Sequence, residues 1–168
     1  MTLTERKRTP RRSASRSTAS SGAPGVPTPL DVAARLLARG PRTEADLEAR
    51  LVRLGYRHET AAAAVARCRE LGWVGDASYA RERARALRAR GAGSLKIAAD
   101  LAARGLPDAL VEAALVESLA GEREHDWARR LLARRRLSHG SARARAWGLL
   151  QRHGFPEEVI AGLLGEPG

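Results

Sequence analysis

The chain is 168 residues long and 43% hydrophobic, enough for a packed core. Only 4% of it is aromatic, and Ala and Leu supply most of the apolar content, a mix that favours helices over sheets. Its 30 basic residues outnumber its 19 acids, and a net charge of +11 points to an anionic partner: nucleic acid, an acidic protein surface or an anionic membrane. Cys68 is the single cysteine, which excludes an intrachain disulfide scaffold.

No apolar run reaches the ~18–20 residues of a membrane span, and the N-terminus lacks the apolar core of a secretory signal. A cytoplasmic protein with no membrane partner is therefore the expectation. Lysine occurs only at Lys7 and Lys96. A genome-wide preference for arginine accounts for that ratio, but it does not account for the excess of base over acid.

Residues 1–29, MTLTERKRTPRRSASRSTASSGAPGVPTP, mix charge, Ser, Pro and Gly with almost no apolar periodicity. Such a segment buries too little surface to offset its ordering entropy and is predicted to be a disordered basic tail. Beyond it the chain carries 24 basic residues against 18 acids.

From Leu30 onward the pattern is helical, broken at Gly40-Pro41, Gly55, Gly72, Gly91-Ala92-Gly93, Gly105, Gly121, His139-Gly140 and Gly154. Nine helices follow, in three sets of three. Leu51–Tyr56, Leu101–Leu106 and Leu150–Phe155 align, with Gly55, Gly105 and Gly154 at the same place in each. A period near 50 residues signals a repeat architecture.

The fold class is thus all-α, with three tandem three-helix repeats (30–74, 75–121 and 122–168) forming an elongated, curved array. Each shared glycine is expected to end the second helix of its unit in a left-handed cap, with the apolar residue after it folding back. Pro107 and Pro156 suit the first turn of a third helix. Glu59, Asp108, Glu157 and Glu158 favour the same helix starts electrostatically. Thr43 with Asp46 resembles a capping box, and Ser94 is the expected N-cap of the helix after Gly93.

No catalytic or metal chemistry assembles. His58-Glu59 opens like a zincin helix but lacks the second His. His125, His139 and His153 have no Cys pair to complete a zinc site. Gly91-Ala92-Gly93-Ser94 has neither the preceding strand nor the following Lys of a nucleotide-binding loop. Cys68 reads as a buried structural thiol, and Trp73, Trp127, Trp147 and Tyr79 read as packing residues. The chain is read as a non-enzyme with no metal and no cofactor.

The arginines carry more information. On a helix from Asp76 to Arg90, Ala77, Ala80, Ala84 and Leu87 form the apolar stripe, while Arg81, Arg85 and Arg88 share another face that holds no acid. Arg129, Arg130, Arg134, Arg135 and Arg136 form a second cluster on the matching helix of the third unit. The candidate binding set is Arg81, Arg85, Arg88, Lys96, Arg104, Arg129, Arg130, Arg134 and Arg135. A repeated basic ridge suits a repeated anionic ligand.

Leu71-Gly72-Trp73-Val74-Gly75-Asp76-Ala77-Ser78-Tyr79-Ala80 resembles the central signature of the RecX family, regulators of the RecA recombinase. Gly91, Gly93, Leu101, Gly105 and Leu106 follow in the family's order, and Leu150, Gly154, Phe155 and Pro156 are similar to its closing repeat. The likeness spans roughly residues 30–166. It departs where the family has two adjacent acids and this chain has Gly75-Asp76, which leaves Asp76 alone as the expected cap of its helix.

The resemblance implies a non-enzymatic protein that lodges in the groove of the RecA–DNA filament and touches RecA and single- or double-stranded DNA; a monomer is the default expectation. There it suppresses ATP hydrolysis and strand exchange, and with them recombination and the SOS response. The alternative reading is a general DNA-binding helical-repeat protein without RecA specificity.

Overall fold

The computed structural model describes residues 27–137 and 143–165. Residues 1–26 of the expected tail and the His139-Gly140 break lie outside the described residues. Among those described, every regular element is helical: α1 (Pro29–Leu37), α2 (Glu44–Arg53), α3 (His58–Glu70), α4 (Asp76–Ala89), α5 (Ser94–Ala102), α6 (Asp108–Ser118), α7 (Glu124–Arg134), α8 (Arg143–Arg152) and α9 (Glu157–Leu164). The first begins at Pro29, under a capping box in which Thr28 and Asp31 satisfy each other's backbone N–H groups at 3.1 Å. The Thr28 hydroxyl also holds the Asp31 carboxyl below its ordinary pKa.

Three separate cores form. Leu36, Leu47, Leu51 and Val65 centre the first, with Cys68 buried among them. Ile97, Leu101 and Val111 centre the second, and Leu131, Leu150, Phe155 and Ile160 the third. Each core is closed by the same turn. Gly55, Gly105 and Gly154 have φ of +96°, +75° and +77°, a region where only glycine is free of Cβ strain. The next residue returns its N–H to the last buried leucine of the helix: Tyr56 to Leu51 at 3.2 Å, Leu106 to Leu101 at 3.4 Å and Phe155 to Leu150 at 3.1 Å.

Successive units dock in one way, used twice. The start of α2 sits on the turn that ends α5: the Thr43 hydroxyl donates to the Arg104 carbonyl at 2.9 Å, and Ala45 lies against Gly105. The start of α5 sits on the turn that ends α8, where Gly93 N–H donates to the His153 carbonyl at 2.8 Å and Leu95 N–H to the Gly154 carbonyl at 3.0 Å.

In both junctions a carboxylate from the following unit caps the seated helix. Asp76 accepts from Glu44 N–H at 2.8 Å, and Glu124 accepts from Ser94 N–H at 2.6 Å. Asp76 therefore does not cap its own helix, whose N-cap is Gly75 without a side-chain bond. Ser94 is the first residue of α5 rather than its cap, and its hydroxyl donates to Glu124. Thr43 does cap α2, its hydroxyl accepting from Asp46 N–H at 3.1 Å while donating to unit two, but the reciprocal bond from Thr43 N–H to the Asp46 carboxylate that completes a capping box is not made.

The contact between the second and third units leaves no room for a methyl group. A Cβ on Gly93 would stand 2.2 Å from the Gly154 carbonyl oxygen, whereas one on Gly55 would meet nothing within 4 Å. Gly93→Ala is expected to lower stability by about 3 kcal/mol, the upper part of the overpacking range, because backbone must move. Gly55→Ala carries only the left-handed penalty of about 1–2 kcal/mol. Urea titration of both variants measures the difference.

Candidate functional site

The two arginine ridges do not survive as drawn. Arg88 is 1% exposed, on the α4 face that also buries Ala80 and Ala84. Its guanidinium donates to the Glu124 carboxylate at 3.0 Å, the Ser94 hydroxyl at 3.1 Å and the Ser118 hydroxyl at 3.2 Å. It is a strut between α4, α5, α6 and α7, and no surface ligand reaches it. Arg81 and Arg85 do face solvent, but Glu117 of α6 brings its carboxylate to 3.9 and 3.6 Å from them. The acid missing from that helix face is supplied by a neighbouring helix.

Arg104 is half-buried and committed to neighbours. Its Nε donates to Asp100 at 3.1 Å, its terminal nitrogen lies 3.7 Å from Asp46 across the junction, and it stands 6.0 Å from the centre of the Tyr79 ring. Asp100 also accepts two bonds from Arg83, at 2.8 and 2.9 Å. Bonding to Arg83 first, then to Arg104, outweighs partial burial and holds the Asp100 carboxyl at about 2.

Because that folded-state pKa is depressed, the stabilisation is complete above the unfolded value near 4 and is lost as pH falls toward 2. The expected loss is about 1–2 kcal/mol, reduced from the full shift by the group's partial exposure. Urea titrations at pH 4 and pH 2 check it: Asp100→Asn should abolish this share of the acid sensitivity.

On α7, Arg129 pairs with Asp126 at 3.2 Å, while Arg130 pairs with Glu122 and lies 4.1 Å over the Trp127 ring. Among the described residues no carboxylate lies within 4.0 Å of Lys96, Arg134 or Arg135, and all three are exposed. Two of them meet at one place. A terminal nitrogen of Arg134 comes within 3.3 Å of where a Gly91 Cβ would stand, and Lys96 packs on Gly154. His153 joins the two sides, its Nδ1 lying 3.0 Å from the Gly91 carbonyl.

Of the nine candidates, Lys96 and Arg134 thus both lie at the junction of units two and three, Lys96 against Gly154 and Arg134 against Gly91, and Arg135 follows Arg134 at the end of α7. It withdraws Arg88 altogether. Arg90, exposed and adjoining Gly91, belongs to this surface and was absent from the candidate set. Nothing in its own helix marks it, since the Gly91 turn gains its neighbours only when α7 and α8 dock. Trp73, expected to pack, is 48% exposed. Cys68 is buried, and burial pushes its thiol pKa up. Among the described residues no three His, Cys, Asp or Glu side chains gather as a metal site, and no helix is long and apolar enough to cross a membrane.

Comparison with known proteins matches this arrangement. Residues 30–68 fit the family model described as the RecX first three-helix domain, and residues 76–115 fit that of the RecX second three-helix domain. The regulatory protein RecX of Stenotrophomonas maltophilia (strain K279a) is 33% identical over 141 residues, covering 82% of this chain and 85% of the relative.

This chain belongs to the RecX family.

The RecX of Thermus thermophilus is 38% identical over 127 residues, covering 76% of this chain and 83% of that one. The fold agrees as well. The crystal structure of RecX from Lactobacillus salivarius superposes with a TM-score of 0.68 at 19% identity, over 80% of this chain and 91% of the other. The named RecX relatives are regulatory proteins, and the all-helical three-unit build described above is the RecX fold.

Proposed function

We propose that this protein binds the RecA–DNA filament and inhibits it, slowing ATP hydrolysis and strand exchange and so damping recombination and the SOS response. The observation that carries the reading is a group of exposed cations with no carboxylate within 4.0 Å among the described residues: Lys96 and Arg134 at the junction of two units, and Arg135 next to Arg134. The units 30–74, 75–121 and 122–168 act as successive modules of one cytoplasmic monomer. The second and third are tied by two backbone hydrogen bonds and by the buried Arg88–Glu124 pair at 3.0 Å. A stiff element that touches adjacent RecA subunits and nearby phosphates resists the rearrangement that each hydrolysis cycle requires.

The test is a titration into RecA on single-stranded DNA with ATP, with DNA in large excess over both proteins. The rate of hydrolysis is expected to fall at substoichiometric protein. An unchanged rate, with binding to naked DNA retained, would replace this reading with that of a general DNA-binding protein.

A further inference from the structure

Among the described residues, the docking surface that each unit offers its predecessor is occupied twice and left open once. In units two and three the left-handed glycine turn and the carbonyl before it, Arg104 O or His153 O, receive the start of a helix. The equivalent turn of unit one is Arg53-Leu54-Gly55. There Leu54 is 51% exposed and Val52 39%, and a Cβ on Gly55 would meet no atom within 4 Å. Among the described residues no donor reaches the Leu54 carbonyl. The three turns have the same backbone form, so the open one is shaped for the same kind of visitor. We infer that the Arg53–Gly55 turn of unit one is a docking seat for the first turn of a helix on the filament protein, an inference that rests on the proposed function above.

Charge narrows the visitor's chemistry. At the first junction the seated turn is Thr43-Glu44-Ala45-Asp46, and Asp46 pairs with Arg104 at 3.7 Å. Exposed Arg50, Arg53 and Arg57 edge the open seat, so it favours a helix start with an acid in its first turn and a small residue over the glycine. The seat lacks one part of the internal junctions. Asp76 and Glu124 cap the seated helices, but the first residue of α1 is Pro29, and Asp31 is engaged by Thr28. Without that charge-assisted bond a visitor is held less tightly than an internal unit, as a reversible contact needs. A second copy of this chain fits less well, because the start of α8 carries Arg143 and Arg145, like in charge to the rim.

The experiment uses the full chain on RecA assembled on single-stranded DNA. Leu54→Asp is expected to weaken filament binding at least tenfold and to change affinity for a naked oligonucleotide less than threefold. Leu54→Arg, which places a cation where unit two has Arg104, should keep or tighten filament binding. Leu54→Cys carrying a benzophenone maleimide should crosslink to RecA near a helix start; Cys68 is 0% exposed and stays unlabelled. Normal filament binding by both charge variants overturns the docking alone, as do adducts confined to DNA, to a second copy or to residues 1–26. A parent chain that binds no filament overturns the regulatory reading and this contact with it.

Discussion

Replacing Arg88 with alanine is expected to cost about 3–5 kcal/mol of stability, the loss associated with removing one partner of a buried ion pair. The Glu124 carboxylate, 13% exposed in the intact pair, would lose its cationic partner and keep only Ser94 to bond. The Ser118 hydroxyl would lose a donor in the same space. A cavity the size of the arginine stem adds to the penalty. By contrast, Arg81→Ala and Arg85→Ala remove exposed pairs with Glu117 and should each cost less than about 1 kcal/mol.

Urea titration followed by helical circular dichroism reads all three. The double variant Arg88→Met, Glu124→Gln should recover much of the loss, since it removes both charges and keeps an acceptor for the start of α5. An Arg88→Ala midpoint equal to that of Arg81→Ala would mean that the guanidinium is solvated and the junction open. The same result guards the functional work: a loss of activity in an Arg88 variant reports a loosened scaffold, not a lost contact.

Why Arg88 reads as a surface residue in the sequence is a matter of angles. At 100° per residue it lies about 20° from Arg81 and about 40° from Ala84, on the border between the basic and apolar faces. One helix wheel cannot place it. Its burial is decided by Ser94, Ser118 and Glu124, which come from three other helices. Glu117 escapes notice in the same way, as the counter-ion of Arg81 and Arg85 from α6. What is local was legible: the repeat spacing of Gly55, Gly105 and Gly154, the leucine pattern ahead of them and the buried Cys68 all follow from chain-local physics. The double use of Asp76 and Ser94 was not, because both look like ordinary helix starts until the next unit docks.

The unpaired cations should also dominate the salt dependence of DNA binding. Each phosphate contact contributes about 0.7 to the slope of log K against log salt on single-stranded DNA, through released counterions. Replacing Lys96, Arg134 and Arg135 together by glutamine should therefore flatten the slope by about 2. Affinity should fall at least tenfold near physiological salt. Arg81→Gln with Arg85→Gln should flatten it by less than 1, because the two share the Glu117 carboxylate and present little more than one net charge. Arg134 and Arg135 also sit at the C-terminal end of α7, where a cation merely complements the helix dipole. A purely structural role there predicts a small stability loss and an unchanged salt slope. Fluorescence anisotropy of a labelled oligothymidine across a salt series separates the two. A flattened slope with an unmoved urea midpoint assigns these side chains to phosphate, and the reverse pattern assigns them to the helix.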